Sequence, residues 1–322
     1  MSYLEVKGHS GKNYAYFVKK WSLQGKPFVL RKYIGKDTGM LSKETYLIKN
    51  MDSIIKEELE LRKSVWEKAM PLVYNPGLIE TVERKAITLN NLVEAQGAEQ
   101  LLRTEFAKEF IYNSNNIEGS KIPKERLIEL FESGITSYKN KNEVIEVENS
   151  IKAFDYIEKE FSFTIKNIKR LYYILTKNLF QENGLPYPKG FKTEPIIVGN
   201  ATTSAPENVE PELKSLLKWN KLNAKKMYPL QRAFEFHSNY ESTHPFTNAN
   251  GRTGRLIMNK ILMQNGYPPI IVYKENKLAY FNAINAMREG DRKKYYQFML
   301  EQAEKTYDQM INTIKNNKIL FK

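Results

Sequence analysis

The chain of 322 residues contains no cysteine. Disulfides and thiolate metal centres are therefore excluded. Histidine is almost as scarce: only His9, His237 and His244 occur. His237 and His244 lie seven positions apart, roughly 10 Å along a helix, too far to share one ion. A zinc enzyme is not expected. Long apolar runs are also missing. No stretch of about 18 apolar residues marks a membrane span, and the opening MSYLEVKGHSGK carries no apolar signal segment. A cytoplasmic protein without membrane association is expected. A phosphate loop is absent as well. Gly8-His-Ser-Gly-Lys12 is two residues too short, and Asn13 stands where Ser or Thr is required.

Acidic residues are outnumbered, 37 against 50 basic ones, which gives a net charge of +13. The excess sits at the ends. Residues 1–36 hold eight Lys/Arg against Glu5 alone, hence +7, and residues 305–322 hold four lysines against Asp308, hence +3. Attraction to nucleic acid or an acidic partner is to be sought first in residues 1–36. Apolar residues make up 41%, enough for a core. The length allows one large domain with a smaller one.

Residues 1–36 read as strands. Tyr14-Ala-Tyr-Phe-Val18 and Phe28-Val-Leu-Arg-Lys-Tyr-Ile34 are rich in aromatic and β-branched residues, and Gln24-Gly-Lys-Pro27 supplies a turn. From Ser42 to about Met70, Leu47, Met51, Ile54, Ile55, Leu59 and Trp66 recur at helical spacing. Pro71 and Asn75-Pro-Gly77 break the chain. Residues 1–75 are thus expected as a small basic β-hairpin-plus-helix module. Helical patterns dominate from about 78 to 180 and return at 213–219 and 230–240. Ala233, Phe236 and Tyr240 form a buried stripe there, on which His237 reads as a core residue. Between 184 and 206, Gly and Pro punctuate the short apolar run Thr193-Glu-Pro-Ile-Ile-Val-Gly199, so a β-hairpin among helices is expected. The fold class is mainly α.

One stretch concentrates chemistry: His244-Pro-Phe-Thr-Asn-Ala-Asn-Gly-Arg-Thr-Gly-Arg255. An apolar helix pattern follows at Leu256, Ile257, Ile261 and Leu262, and Gly266 closes it. Asn250, Gly251 and Arg252 then open a helix, where free N–H groups and the helix dipole favour an anion. Gly251 lets the backbone approach that anion. Arg252 and Arg255 lie in the first helical turn, and the planar arginine fork suits phosphate. His244 precedes this cradle and can exchange a proton near neutral pH.

This stretch resembles the signature of the Fic family, His-Pro-Phe-x-(Asp/Glu)-Gly-Asn-Gly-Arg-x-x-Arg. Asn248 stands where the family has an acidic residue and Ala249 where it has Gly; the other specified positions agree. Ser114, Glu118 and Gly119 resemble the family's inhibitory motif, (Ser/Thr)-x-x-x-Glu-(Gly/Asn). The resemblance implies an all-helical Fic core over 85–305, with an inhibitory helix near 104–119 and a hairpin flap near 191–206, followed by a basic C-terminal tail over 306–322. It implies a protein adenylyltransferase moving AMP from ATP, with Mg²⁺, to a Ser, Thr or Tyr hydroxyl of a target or of the chain itself. His244 would be the general base. Asn250, Gly251, Arg252 and Arg255 would hold the phosphates, Tyr280 would flank the adenine, and Asn248 stands at the metal position. Ile197, Val198 and Gly199 would dock the target by main-chain pairing, and Glu118 would hold Arg255 away from the γ-phosphate. Lys192 replaces a frequent Arg, and Arg288 a frequent Asn, which leaves the base open. Further readings stay open. They are transfer of another nucleotide, phosphotransfer as in the related death-on-curing toxins, removal of AMP by the same site, assembly as a homodimer, and a nucleic-acid- or partner-binding regulator with a weakly active core.

Overall fold

The computed structural model describes residues 2–36, 39, 42–69, 75–181, 183–198 and 201–317. The first element is a three-stranded antiparallel sheet of β1 (Ser2–His9), β2 (Lys12–Leu23) and β3 (Lys26–Lys36), in that order. Ser10-Gly11 and Gln24-Gly25 make the two turns, with φ of 50° and 71°, then 52° and 71°. Two successive positive φ values give the tight hairpin turn whose twist matches its strands. The expected hairpin therefore gains a third strand, β1, whose Glu5, Lys7 and Gly8 dilute the β signal. A register shift between Ala15 and Tyr16 bends β2.

Helices α1 (Lys43–Lys49) and α2 (Met51–Ala69) follow, then α3 (Pro76–Gln96). Ser42 caps α1 by accepting from Thr45 N at 3.1 Å. Asn75 caps α3 by accepting from Leu78 N at 3.1 Å, and Pro76 supplies the preset first φ. One sheet face packs Phe17 and Leu30 on Leu47, Ile54 and Ala95. A buried ionic chain crosses the same junction. Lys19 pairs with Glu58 and donates to Asn91 Oδ1 at 2.5 Å. Arg62 donates to Glu58 Oε1 at 2.7 Å and to Glu83 Oε2 at 3.1 Å. Tyr267, from the far side of the bundle, donates to Glu83 Oε1 at 2.6 Å. Two cations thus offset two carboxylates inside the protein. The expected boundary near residue 75 is therefore bridged by buried charge.

The bundle continues with α4 (Glu99–Glu118), α5 (Lys124–Ser133), α6 (Lys141–Lys159), α7 (Ile165–Thr176), α8 (Pro206–Asn223), α9 (Pro229–Thr243), α10 (Asn250–Met263), α11 (Lys277–Arg288) and α12 (Arg292–Asn317). Twelve of the fourteen residues of α10 are buried, so its polar side chains must find partners inside the protein. Residues 306–317, expected as a basic tail, continue α12 instead. Tyr307, Met310 and Ile314 there are buried at helical spacing, and that apolar stripe outweighs the lysines. The flap is a short hairpin of β4 (Ile197–Val198) and β5 (Ala201–Thr202), pairing Ile197 with Thr202 and Val198 with Ala201. Gly199 lies outside the described residues. Among the described residues no helix is long and apolar enough to cross a membrane.

Arg62 is the hub of the ionic chain. Replacing it with Ala leaves Glu58 and Glu83 buried beside one lysine, so Arg62→Ala should destabilise the fold by about 3–5 kcal/mol. Denaturant melts at neutral pH check this; an unchanged midpoint would show that the chain adds nothing.

Candidate active site

Helix α9 ends on His244, which adopts the left-handed conformation, φ 46°, and donates its N–H to Tyr240 O at 2.9 Å. The turn that follows is braced from within. Asn250 Oδ1 accepts from Phe246 N at 2.9 Å, and Asn250 Nδ2 donates to Phe246 O at 2.7 Å. The Phe246 ring stacks flat on Tyr172, centroids 4.0 Å apart. Ala249 then takes a second left-handed conformation, φ 57°, and opens α10. Two non-glycine residues in this region within six positions store local strain that the braces must hold. No side chain caps α10 among the described residues, so its first amides point outward.

A carboxylate lies beside that helix start. Glu118, the last residue of α4, places Oε1 2.3 Å from where a Cβ on Gly251 would stand. A side chain there would have to displace that carboxylate and the Arg255 guanidinium, whose NH1 stands 2.8 Å from the same point. The same oxygen accepts from Arg255 NH2 at 2.7 Å. Arg255 is itself buried and held on every side. It donates to Ser114 Oγ and to Ser114 O, both at 3.0 Å, and to Tyr280 OH at 3.4 Å. Gly119, φ 114°, ends α4 directly after Glu118. Burial pushes the Glu118 carboxyl up, but Arg255 and Arg252 more than offset this, and it stays ionised below the usual carboxylate range.

Arg252 points elsewhere. It pairs with Glu146 of α6 and donates to Asn248 Oδ1 at 3.2 Å. Asn248 also accepts from Ala249 N and donates to Tyr187 OH at 2.6 Å. The expected metal position is therefore a neutral oxygen already shared by two donors. Among the described residues no three acidic or histidine side chains cluster as metal ligands. The residues present do not make a resident Mg²⁺ site, because an amide oxygen turned toward an arginine cannot supply the charge that Mg²⁺ requires.

His244 is half-buried. Burial and then the Lys192 cation push its pKa down to about 4, so the imidazole is neutral at pH 7 and free to accept a proton. Its Nδ1 has no hydrogen-bond partner among the described residues. Lys192 is fixed under the flap, donating to Thr203 Oγ1 at 2.7 Å and to Thr243 O at 3.3 Å. Beside this lies a cavity of about 310 Å³, lined by Val198 of the flap, Glu241 of α9, and Phe281, Ile284, Asn285 and Arg288 of α11. Burial pushes the Glu241 carboxyl up to about 7, and its Oε1, 3.8 Å from His237 Nδ1, has no hydrogen-bond partner among the described residues. Gly254 makes room for it: a Cβ there would stand 2.7 Å from Glu241 Oε1.

Residues 162–262 match the Fic/DOC family. A Fic domain thus lies at residues 162–262. Among curated proteins, the chain is 26% identical to protein adenylyltransferase Fic of Drosophila sechellia over 236 residues, 71% of this chain and 47% of that protein. It is 28% identical to protein adenylyltransferase fic-1 of Caenorhabditis briggsae over 276 residues, 76% of this chain and 53% of that protein. The chain thus spans about half the length of these relatives. Its fold is that of a Fic domain-containing signalling protein from Bacteroides thetaiotaomicron, with TM-score 0.65, 22% identity, and coverage of 74% of this chain and 97% of that one. A Fic family protein from Desulfovibrio desulfuricans G20 is similar, with TM-score 0.64, 21% identity and 76% coverage of each.

The structure brings Gly251 and Arg255 of the matched segment and Ser114 and Glu118 of α4 to one point, with Gly119 at the helix end behind them. Arg252 and Asn248 face each other rather than that point. Tyr280 differs from its expectation as an adenine neighbour. It is 1% exposed and sits beneath Arg255, its OH 2.8 Å from His237 Nε2. Its ring is covered on several sides by His237, Phe281 and Phe298, so it supports Arg255 instead of lining the cavity. Glu146, Glu241 and Gly254 went unread in the sequence. The first two resemble ordinary helix carboxylates there, and only Gly254, inside a helix pattern, gave a local sign of close packing.

With three histidines the titration of His244 is directly readable by NMR. Its imidazole should titrate near 4, and Lys192→Met should raise that value toward 6.5 by removing a nearby cation. No movement on that substitution would show that Lys192 does not act on His244.

Proposed function

We propose that the chain transfers AMP from ATP to a hydroxyl of a protein, and that its own Glu118 restrains the reaction. The observation that carries this reading is the carboxylate seated on the amide end of α10 and paired with Arg255. An anion site filled by an internal anion is built for a ligand anion and is held closed against it. The relatives' activity supports the choice of AMP.

In the open state Arg255 would grip the terminal phosphate, and the amides at Asn250 and Gly251 would carry charge on the transferring phosphoryl group. Arg252 would leave Glu146 to help. The neutral imidazole of His244 takes the proton of the target hydroxyl as its oxygen attacks the α-phosphorus. The bond from that phosphorus to the bridging oxygen breaks, and pyrophosphate leaves. The 310 Å³ cavity suits the base, with Phe281 and Ile284 as apolar walls and Glu241 and Asn285 as polar edges. Divalent cation would arrive with the nucleotide substrate, held chiefly by its phosphates. Ile197, 69% exposed on the flap, lies where a target strand would pair. Gly251 argues against the phosphotransfer reading, since the related toxins place Lys there.

Glu118→Gly should raise transfer of label from α-phosphate-labelled ATP by about ten- to a hundredfold, the range of a lost 1–3 kcal/mol contact. Arg255→Ala should not mimic it, because it removes the phosphate ligand with the lock. An unchanged rate in Glu118→Gly would remove the inhibitory role. Intact mass of the product should rise by about 329 Da for AMP, whereas about 80 Da would mean phosphate, from the composition of the transferred group.

In the Glu118→Gly background, His244→Ala should lower transfer by at least about 100-fold, the low end for a general base, while nucleotide still binds. Full activity would rule out this mechanism.

A further inference from the structure

The three-stranded sheet sorts its cations by face. Inward, Lys19 pairs with Glu58, and Lys32 pairs with Glu57 and donates to Ser53 Oγ at 2.7 Å. The acids of α2 thus neutralise what points inward. The strand register sets the other face. Tyr3, Val18 and Arg31 align across the three strands, then Glu5, Tyr16 and Tyr33, then Lys7, Tyr14 and Lys36. Ring contacts confirm the shared side: Tyr33 lies 5.5 Å from Tyr16 and 6.2 Å from Tyr14. Arg31 lies 4.6 Å over the Tyr16 ring, and Lys20 lies 5.3 Å over the Tyr3 ring. The outer face therefore carries four tyrosines and the cations Lys7, Lys20, Arg31 and Lys36 against the single acid Glu5. Tyr33 is 59% exposed and Tyr3 38%.

We propose that this outer face binds single-stranded nucleic acid, with tyrosine rings stacking bases and the flanking cations meeting phosphates. Charge complementarity selects a polyanion, since residues 1–36 carry +7. The tyrosines select among polyanions. Exposed rings beside cations suit unpaired bases, whose faces are free, and a duplex keeps those faces stacked on each other. Glu5, shared by Arg31 and Lys7, keeps the empty face from carrying wholly unpaired charge. This site is independent of the nucleotide chemistry proposed for the Fic domain.

Fluorescence anisotropy of the full chain with labelled 20-nucleotide dT and rU strands tests it. Both strands present the same chemistry; binding to either supports the proposal, and the tighter one identifies the sugar. With four phosphate contacts the affinity should fall roughly fiftyfold between about 50 and 200 mM salt. Tyr33→Ala should weaken binding roughly fivefold or more, while Tyr33→Phe, which keeps the ring, should bind as the parent does. The pair Lys7→Ala and Arg31→Ala should flatten the salt dependence by about 1.4 in slope. Unchanged melting temperature shows that each variant is folded; Tyr33 is exposed enough that its loss leaves the core intact. No binding at about 50 mM salt would overturn the proposal. So would equal affinity for duplex DNA or for an acidic polypeptide, or indifference to Tyr33→Ala.

Discussion

The ion pair between Arg255 and Glu118 is the constraint around which the candidate site is arranged. Arg255 is 1% exposed, and a buried guanidinium without an anion is costly. Ser114 and Tyr280 satisfy its N–H groups but bring no charge. Glu118 brings it. On the proposed reading, a phosphate bound here would replace one anion by another beside the start of α10 and at the same guanidinium. On the same reading, locking and binding would be one electrostatic requirement met by two alternative anions. That exchange would be direct, because Glu118 ends α4 and only one helix end would have to give way.

The strained turn before α10 is the second half of that arrangement. His244 and Ala249 hold left-handed backbone that neither residue prefers. Asn250 spends its whole side chain on Phe246, and Phe246 is pinned on Tyr172. The amides at the start of α10 are left to a ligand only because the side chain of Asn250 is occupied elsewhere. Ala249 is 2% exposed, so its Cβ packs into the core in partial return for its strained φ. The same bracing half-buries the imidazole of His244, and burial first, then the Lys192 cation, keeps it unprotonated.

What was legible in the sequence was what is local. The segment from His244 to Arg255 is contiguous, and its glycine, arginines and following apolar period announce a helix end for anions. Strands β2 and β3 and the helical character were equally local. What escaped depends on distant chain. Arg252 meets Glu146 from 106 positions away, and Glu83 meets Tyr267 from 184. No spacing rule carries such pairings. Residues 306–317 misled because charge was read before period. For Tyr280 the resemblance names a position but not the direction in which its ring packs, which His237, Phe281 and Phe298 set.

The sidedness of the N-terminal sheet follows from the same rule that governs Arg255: a buried charge must be matched, an exposed one need not be. Alternation along a strand sends successive side chains to opposite faces. A run as basic as residues 1–36 must therefore send some lysines inward. There they are tolerated only because α2 and α3 supply Glu58, Glu57 and Asn91. Those partners also tie the sheet to α3, and through Glu83 to Tyr267 beyond α10. The N-terminal strands are thus a fixed part of the body that holds the Fic domain. A ligand held on their outer face would be joined to the helical body through the matched charges of Lys19, Glu58, Arg62 and Glu83.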